Sequence, residues 1–317
     1  MRRLLYIRGM DDRDIMNVFD RETVRRHRDR AAAGFPAYDF LFTEIAERLG
    51  DRLDDVVRDF PMALDLGCHT GQVGRVLGGR KGIETLVECD LSPAMVRSAG
   101  GGLRVAGDEE LLPFADSSFD LAISNLSLHW VNDLPGALLQ LRRALKPDGL
   151  FIGAMLGGDT LFELRRCLME AELDLTGGVS ARISPFAEVR DAGGLLQRAG
   201  FTLPVVDSDT ITVTYESAFK LMADLRGMGE TNAGLNRRKY PTPRALMIDA
   251  ARRYAELYSE PDGRVTATFQ VLYLAGWAPH ESQQKPMKPG TAQVSLADAL
   301  KAGESSVRAT GGDKPEP

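Results

Sequence analysis

The residue types most suited to chemistry in this chain are a glycine turn and the carboxylates around it. Residues 63–71 read ALDLGCHTG, in which an apolar run carries Asp65 and passes into a turn bounded by Gly67 and Gly71. Glycine allows a sharp turn and a close approach of a ligand to the backbone. A helix expected from Gln72 would present free N–H groups that suit a ligand carboxylate. The turn therefore predicts a small-molecule site at the end of a strand.

The turn does not have the form that binds dinucleotides. The dinucleotide fingerprint G-x-G-x-x-G requires glycine at positions 67, 69 and 72, whereas the chain has Gly67, His69 and Gln72. A positive φ is costly for a histidine. We therefore expect His69 to crowd the site and to change its affinity or its chemistry.

Further carboxylates follow the next two apolar runs of the chain. Asp90 ends the second run, where an acid can accept both hydrogen bonds of a ribose diol. After the third run, Asp108 is placed to accept from an adenine amino group, next to Glu109, and Leu111 or Leu112 is placed to cover the ring. Because parallel strands end at one edge of a sheet, these residues are predicted to meet in one crevice.

Candidate catalytic residues follow the fourth apolar run. His129 could act as a base near neutral pH, Trp130 is adjacent to it, and Asn125 could position a reacting group. Packing beneath a ligand or capping of the sheet is the alternative interpretation of His129 and Trp130. None of the four histidines opens the H-x-D or H-x-E pattern of a non-haem iron site, so no metal site is predicted.

These residues require a parallel α/β sheet to position them. Short apolar runs alternate with helical patterns from residue 61 to about 155, which is typical of such a sheet. Two β-rich runs follow, separated by a helical insertion. The predicted organisation is a helical cap (1–60), one domain (61–280) with an insertion at about 216–260, and a loose polar tail (281–317).

The N-terminal region also contains a basic stretch. Residues 21–30 read RETVRRHRDR, and alternating charges of this kind usually form a solvated helix face. Contact with an acidic partner is the other interpretation, for the cluster from Arg25 to Arg30.

Composition excludes several classes of function. The formal charge of −6 gives no reason to expect nucleic-acid binding, and three cysteines without a C-x-x-C pair argue against a disulfide framework. No apolar run approaches the roughly 20 residues of a membrane span. We expect a protein of the bacterial cytoplasm, or a mature organelle protein, with no export signal.

The motifs together resemble a known family. The turn and its acids resemble the class I S-adenosylmethionine-dependent methyltransferases, which implies a mostly parallel, seven-stranded Rossmann-like sheet with helices on both faces. Later segments resemble the mitochondrial complex I assembly factor 5 family. They are SLHWVNDLP (127–135), FIGAM (151–155), GGDTL (157–161), ISPF (183–186), GMGE (227–230), TFQ (268–270), GW (276–277) and HESQ (280–283).

The resemblance implies an S-adenosylmethionine-binding protein that hydroxylates an arginine on the quinone-proximal iron–sulfur subunit of complex I during assembly. In the bacterial case this would occur at the inner membrane face. The cofactor positions carry over to Asp65, Gly67, Gly71, Asp90 and Asp108. Hydroxylation rests on the resemblance alone, because no residue pattern in the chain derives it.

Two other functions remain open from the sequence. One is methyl transfer to a small molecule or a carrier-bound acid, and the other is a non-catalytic assembly chaperone stabilised by the cofactor. Arginine N-methylation is disfavoured, because the Asn-Pro-Pro-aromatic element of many amine methyltransferases is absent from residues 124–130. Release of S-adenosylhomocysteine would support methyl transfer and count against the chaperone.

Overall fold

A seven-stranded sheet forms the centre of the molecule. The computed structural model describes residues 17–186 and 189–283. The strands are β1 (Met62–Leu66), β2 (Thr85–Asp90), β3 (Leu103–Ala106), β4 (Phe119–Asn125), β5 (Leu145–Leu156), β6 (Thr202–Tyr215) and β7 (Val265–Trp277). They lie in the order β3-β2-β1-β4-β5-β7-β6. Strands β1 to β5 are parallel, and β7 runs antiparallel to both neighbours. This confirms the predicted α/β class and the mostly parallel sheet.

Helices connect the strands and cover both faces of the sheet. They are α1 (Arg21–Ala31), α2 (Phe40–Asp54), α3 (Gln72–Leu77), α4 (Pro93–Ser98), α5 (Leu134–Ala144), α6 (Phe162–Thr176), α7 (Val189–Arg198), α8 (Ala218–Gly227) and α9 (Arg244–Tyr258). Helices α8 and α9 lie between β6 and β7, in the stretch predicted as an insertion. Within residues 17–186 and 189–283, no helix is long and apolar enough to cross a membrane.

Alternation along the strands supplies a hydrophobic core on each face of the sheet. Ala63 of β1 belongs to the core that contains Ile45 of α2. Its neighbour Leu64 belongs to the opposite core, which contains Leu138 of α5. Because successive side chains point to opposite faces, Asp65 shares the α2 face with Ala63.

One predicted boundary differs in the structure. The sequence suggested a helix that runs through Leu145 and stops at residues 146–149, but α5 ends at Ala144 and β5 already begins at Leu145. The backbone of Leu145 is extended, and Asp148 has a φ of 62°. The turn residues therefore lie inside the irregular start of a strand, where the β4–β5 register shifts.

The N-terminal segment is fixed across the carboxyl ends of the strands. Oδ1 of Asn132, after β4, accepts the backbone N–H groups of Val18 and Phe19, each at 2.7 Å. Asp20 caps α1 by accepting from the N–H of Thr23 at 3.0 Å, which is the usual role of an aspartate at this position. Helix α1 then contacts α4 and α8. Residues 1–16 of the predicted cap and 284–317 of the predicted tail lie outside the described residues.

Candidate active site

The glycine turn after β1 has the conformation that the sequence required. Gly67 has a φ of 75°, and its N–H donates to the carbonyl of Cys89 at 2.7 Å. A Cβ added to Gly67 would lie 2.1 Å from Cβ of Ser127, so a side chain does not fit. Gly71 has a φ of 84° and precedes α3. Only glycine therefore suits both ends of this turn.

His69 adopts the positive φ that the sequence suggested would be costly. Its φ is 49°, and its N–H donates to Oδ2 of Asp90 at 3.1 Å. The ring stacks on Phe35 and meets the edge of Phe42, with centroid separations of 5.6 and 4.6 Å. Nε2 lies 3.2 Å from the carbonyl oxygen of Asn125. Burial, reinforced by the positive charge of Arg28, lowers the pKa of His69 to about 3, so the ring is neutral near pH 7.

Asp65 lies beneath the turn as an unpaired acid. The residue is fully buried, and neither carboxylate oxygen has a hydrogen-bond partner within the described part of the chain. Burial, followed by the nearby Glu88 and Asp90, raises its pKa well above the usual value for aspartate. Unsatisfied buried polar atoms are uncommon in folded proteins, so this carboxyl group is a candidate for contact with a ligand or with water.

Asp90 is held by an arginine of the chain itself. Nη1 of Arg28 lies 3.3 Å from both oxygens of Asp90 and 3.0 Å from Oε1 of Glu109. Its Nη2 donates to Oγ of Ser127 at 3.0 Å. Arg28 is 1% exposed. The expected solvated face of the basic stretch is therefore wrong at this position, because α1 turns Arg28 toward the buried acids.

The acids after β3 have a second arginine. Nη2 of Arg21 donates to Oδ1 of Asp108 at 2.5 Å and also contacts Glu109. Although burial opposes it, the two arginines Arg21 and Arg28 hold the pKa of Glu109 well below its usual range. The N–H of Leu111 donates to the carbonyl of Asp108 at 3.0 Å, and its side chain is 76% exposed. The structure thus brings the predicted acids together, with the exposed Leu111 beside Asp108.

The catalytic candidates separate into two groups. The amide of Asn125 donates to the carbonyl of Phe42 at 2.8 Å, which ties β4 to α2. His129 and Trp130 instead lie on a short turn after β4 and share Glu230, whose Oε2 lies 3.0 Å from Nε2 of His129. Nε1 of Trp130 donates to the same carboxylate, at 2.9 Å to Oε2 and 3.2 Å to Oε1.

Glu230 is the residue that sequence reasoning missed. It lies about 100 residues after its two partners, and only its place in the GMGE motif at 227–230 could have signalled it. Burial raises the pKa of Glu230, but His129 outweighs this effect, so the pKa is lowered. Near neutral pH the side chain is a buried carboxylate.

A cavity of about 230 Å³ opens beside Glu230. Trp130 and Glu230 form one wall, and much of the remaining lining is apolar. The described residues contain no group of three or more His, Cys, Asp or Glu side chains that could hold a metal ion. The apolar lining residues are Leu161, Leu164, Leu168, Ile183, Phe186, Met222, Leu225 and Met247.

Comparisons with known proteins agree with the observed fold and identify relatives of the chain. A family model described as a methyltransferase domain matches residues 64–153. The arginine-hydroxylase NDUFAF5, mitochondrial, of Danio rerio is 46% identical over 303 residues, covering 94% of each chain. The malonyl-[acyl-carrier protein] O-methyltransferase of Halorhodospira halophila (strain DSM 244 / SL1) is 36% identical over 286 residues, covering 87% of this chain and 94% of its own.

A solved structure shows the same fold. Phosphoethanolamine N-methyltransferase 2 of Haemonchus contortus, in complex with phosphomonomethylethanolamine and S-adenosylhomocysteine, aligns with a TM-score of 0.51 at 16% identity. The alignment covers 81% of this chain and 60% of that chain. At this identity the similarity shows a shared sheet and helix arrangement.

Proposed function

The chain belongs to the family of the arginine-hydroxylases named NDUFAF5, within the class I S-adenosylmethionine-dependent methyltransferase superfamily, and on this premise we propose that it hydroxylates an arginine. The target is the quinone-proximal iron–sulfur subunit of respiratory complex I, modified during assembly. The observation that carries the proposal is the 46% identity to the Danio rerio protein across 94% of each chain.

S-adenosylmethionine is the cofactor, and the residues around the glycine turn are of the types that can bind it. Asp65 offers two oxygens that have no hydrogen-bond partner among the residues that the structure describes, and Gly67 and Gly71 give the backbone its turn. Asp90 ends β2, where a carboxylate can accept from a ribose diol. However, Arg28 already donates to Asp90 in this structure, so a ribose at that carboxylate would compete with Arg28.

We assign the cofactor contacts to Asp65, Gly67, Gly71, Asp90 and Asp108. His69 contributes through its backbone N–H, which orients Asp90, because the buried ring is directed to the carbonyl of Asn125. Glu109 anchors the arginines of α1. The cofactor, when bound, supplies a sulfonium centre with an activated methyl group.

Hydroxylation replaces a C–H bond of the arginine side chain by C–OH. This change removes two electrons from the substrate, so the oxygen atom and the oxidising equivalents come from a separate oxidant. The residues of this chain then have to bind and orient the arginine. Of the sequence candidates, His129 and Trp130 are the two whose side chains reach a buried carboxylate beside a cavity.

We place the activity where complex I is assembled. The Danio rerio relative carries the word mitochondrial in its name, which supports the mitochondrial matrix for a eukaryotic chain. For a bacterial chain we propose the inner face of the membrane, reached through the complex I partner.

One other function has specific support. The Halorhodospira halophila methyltransferase is 36% identical over 94% of its length, and this favours methyl transfer to a carrier-bound acid as the second candidate. That reaction would consume S-adenosylmethionine and release S-adenosylhomocysteine.

Mass spectrometry of the quinone-proximal subunit from cells with and without the gene tests the proposal. We expect a gene-dependent gain of one oxygen on an arginine peptide. Complementation with Asp90→Asn should lose the modification, whereas the exposed Asp207→Asn should retain it. Gain of a methyl group would establish methyl transfer instead. An identical and abundant subunit in both strains would overturn the complex I assignment.

A further inference from the structure

We propose that the cavity beside Glu230 is the substrate subsite, in which the Glu230 carboxylate binds the guanidinium of the target arginine. This inference rests on the proposed function, because it takes arginine as the substrate. It assigns a role to a residue outside the glycine turn and its acids. Glu230 would act as a binding and orienting residue.

The dimensions of the cavity suit one amino-acid side chain. Its volume of about 230 Å³ is below the roughly 300–1,000 Å³ of sites that hold whole drug-sized ligands. Leu164, Met222 and Met247 contribute apolar walls, and Glu230 lies among them as an anion. An arginine combines an apolar stem with a planar cationic head, so its two parts match the two parts of the lining.

Neighbouring side chains orient the carboxylate of Glu230, which still has free acceptor positions. Trp130 Nε1 and His129 Nε2 hold it, both near Oε2 at 2.9 and 3.0 Å. Oε1 receives only the longer contact with Trp130 Nε1, at 3.2 Å, among the hydrogen bonds of the described side chains. An ionised carboxylate offers about four acceptor sites. A guanidinium could therefore bond to Oε1 without displacing either indole or imidazole.

The burial of the Glu230 carboxylate favours the binding of a cation next to it. The Glu230 side chain is only 7% exposed, and a buried charge is stable only when it is paired and hydrogen-bonded. The ion-pair partner of Glu230 within the described chain is the imidazole of His129, at 3.0 Å, and no arginine or lysine of the described residues joins it. A substrate guanidinium would add a second cationic contact to this carboxylate.

The arginine that lines the cavity, Arg182, is paired with Glu172, a carboxylate that it shares with Arg238. Arg182 donates to Glu172 through Nη2 at 2.7 Å and through Nε at 2.9 Å, and its Nη1 donates to Thr242 at 2.9 Å. Its guanidinium is thus engaged by Glu172 and Thr242. Among the residues that line the cavity, Glu230 is the acidic one, which favours a cationic group as the bound ligand.

The cavity also adjoins the cofactor crevice. Trp130 lines the cavity with its side chain, while its carbonyl accepts from Nη1 of Arg21 at 3.1 Å. Arg21 in turn pairs with Asp108, one of the crevice acids. The two sites thus share one residue as a wall, so an arginine held by Glu230 would lie next to the cofactor site.

A binding experiment with the purified full chain tests the subsite. The probe is a peptide from the quinone-proximal subunit that contains the target arginine, with citrulline and lysine versions as comparators. We expect wild type to bind the arginine peptide at least about tenfold more tightly than the uncharged citrulline peptide, as for loss of a charged hydrogen bond. Glu230→Gln should abolish this difference. The control Glu256→Gln, at an exposed pair on α9, should keep it.

A second variant guards against a folding defect in Glu230→Gln. Met222→Phe narrows the cavity without removing the carboxylate, and it should weaken arginine-peptide binding while circular dichroism and thermal unfolding stay normal. Equal affinity of wild type for the arginine and citrulline peptides would overturn the inference. So would an equal preference for arginine and lysine peptides, because a planar fork would then be unnecessary.

Hydroxylation in cells separates this inference from the proposed function. If wild type adds an oxygen to the arginine and Glu230→Gln does so equally well, the subsite is wrong and the proposed function stands. If wild type adds no oxygen, the proposed function fails. The subsite is then supported by peptide binding that depends on Glu230 and on guanidinium, and overturned by binding that does not.

Discussion

The cofactor crevice and the Glu230 cavity are adjacent, yet they balance their buried acids in different ways. In the crevice, Asp90 and Glu109 are paired with Arg28 and Arg21 from the chain itself. In the cavity, Glu230 is held by the imidazole of His129 and the indole N–H of Trp130, with no guanidinium of the described chain in contact. Arginines thus occupy Asp90 and Glu109 in the first region, whereas Glu230 in the second has no arginine partner among the described residues.

This difference indicates which region has to move when ligands bind. A ligand that uses Asp90 competes with an internal ion pair, and its apparent affinity includes the cost of moving Arg28. A cation that enters the cavity meets a carboxylate that is already oriented. The predictions below test this contrast, beginning with the largest expected effect.

Glu109→Gln should destabilise the crevice most. The change removes the carboxylate that contacts both Arg21 and Arg28 and leaves those cations partly uncompensated. We expect the free energy of unfolding in urea to fall by about 3–5 kcal/mol. The exposed Glu256→Gln should cost less than about 1 kcal/mol. If Glu109→Gln cost as little as Glu256→Gln, the buried ion pairs would contribute little to the free energy of unfolding.

His69→Asn should reduce the acid sensitivity of the crevice. Unfolded histidine takes up a proton near pH 6.5, whereas folded His69 does so only near its pKa of about 3. The unfolded state therefore binds more protons in this window, and stability falls as the pH drops from about 6.5 toward 3, by up to about 1.4 kcal/mol per pH unit.

Asparagine tolerates the positive φ at this position, so His69→Asn should flatten that slope. Urea unfolding at several pH values measures it, and exposed His280→Asn is the matched control. An unchanged slope in His69→Asn would mean that other groups set the acid limit of stability.

Arg28→Met should strengthen the binding of ligand in the cofactor crevice. Without the guanidinium on Asp90, S-adenosylhomocysteine no longer has to displace an ion pair, and we expect calorimetry to show about tenfold tighter binding. The half-exposed Arg25→Met, on the outer face of α1, should leave the affinity unchanged. Weaker binding in Arg28→Met would place Arg28 in the ligand-bound state and remove the contrast between the two regions.

Glu172→Gln should have the smallest effect of these substitutions, a change in the affinity of the cavity for the arginine peptide. It weakens the pairing of both Arg182 and Arg238 with this side chain and releases part of the Arg182 charge toward Glu230. We expect affinity for the arginine peptide to fall about threefold, because the two like charges then compete in a partly screened site. Binding of the citrulline peptide should stay the same. A matching fall for citrulline would point to a change of shape instead of charge.

The sheet and the glycine turn were predictable because both depend on local rules. Apolar runs at the spacing of strands predicted β1 to β5. The glycines at positions 67 and 71 predicted a turn with positive φ, which Gly67 and Gly71 both have. The acids at the strand ends were predictable for a related reason. Parallel strands bring their carboxyl ends to one edge, so the sequence order of the acids fixes their neighbourhood.

The partners of those acids were not predictable, since they come from distant parts of the chain. Arg28 lies 62 residues before Asp90, and its surroundings have the charge pattern of a solvated helix. Only the packing of α1 across the strand ends reveals that this arginine is buried. Glu230 likewise meets His129 from 101 residues away, and no periodicity in the sequence links the two.

The insertion between β6 and β7 has a consequence for how this architecture diversifies. It supplies Met222, Glu230 and Met247 to the cavity, whereas the glycine turn and its acids come from the first half of the sheet. If the proposed subsite is correct, part of the acceptor-binding wall is thus encoded apart from the cofactor turn, although Trp130 and Leu164 of the lining come from outside the insertion. Changes within the insertion should then alter which acceptor is bound while the glycine turn and its acids stay unchanged.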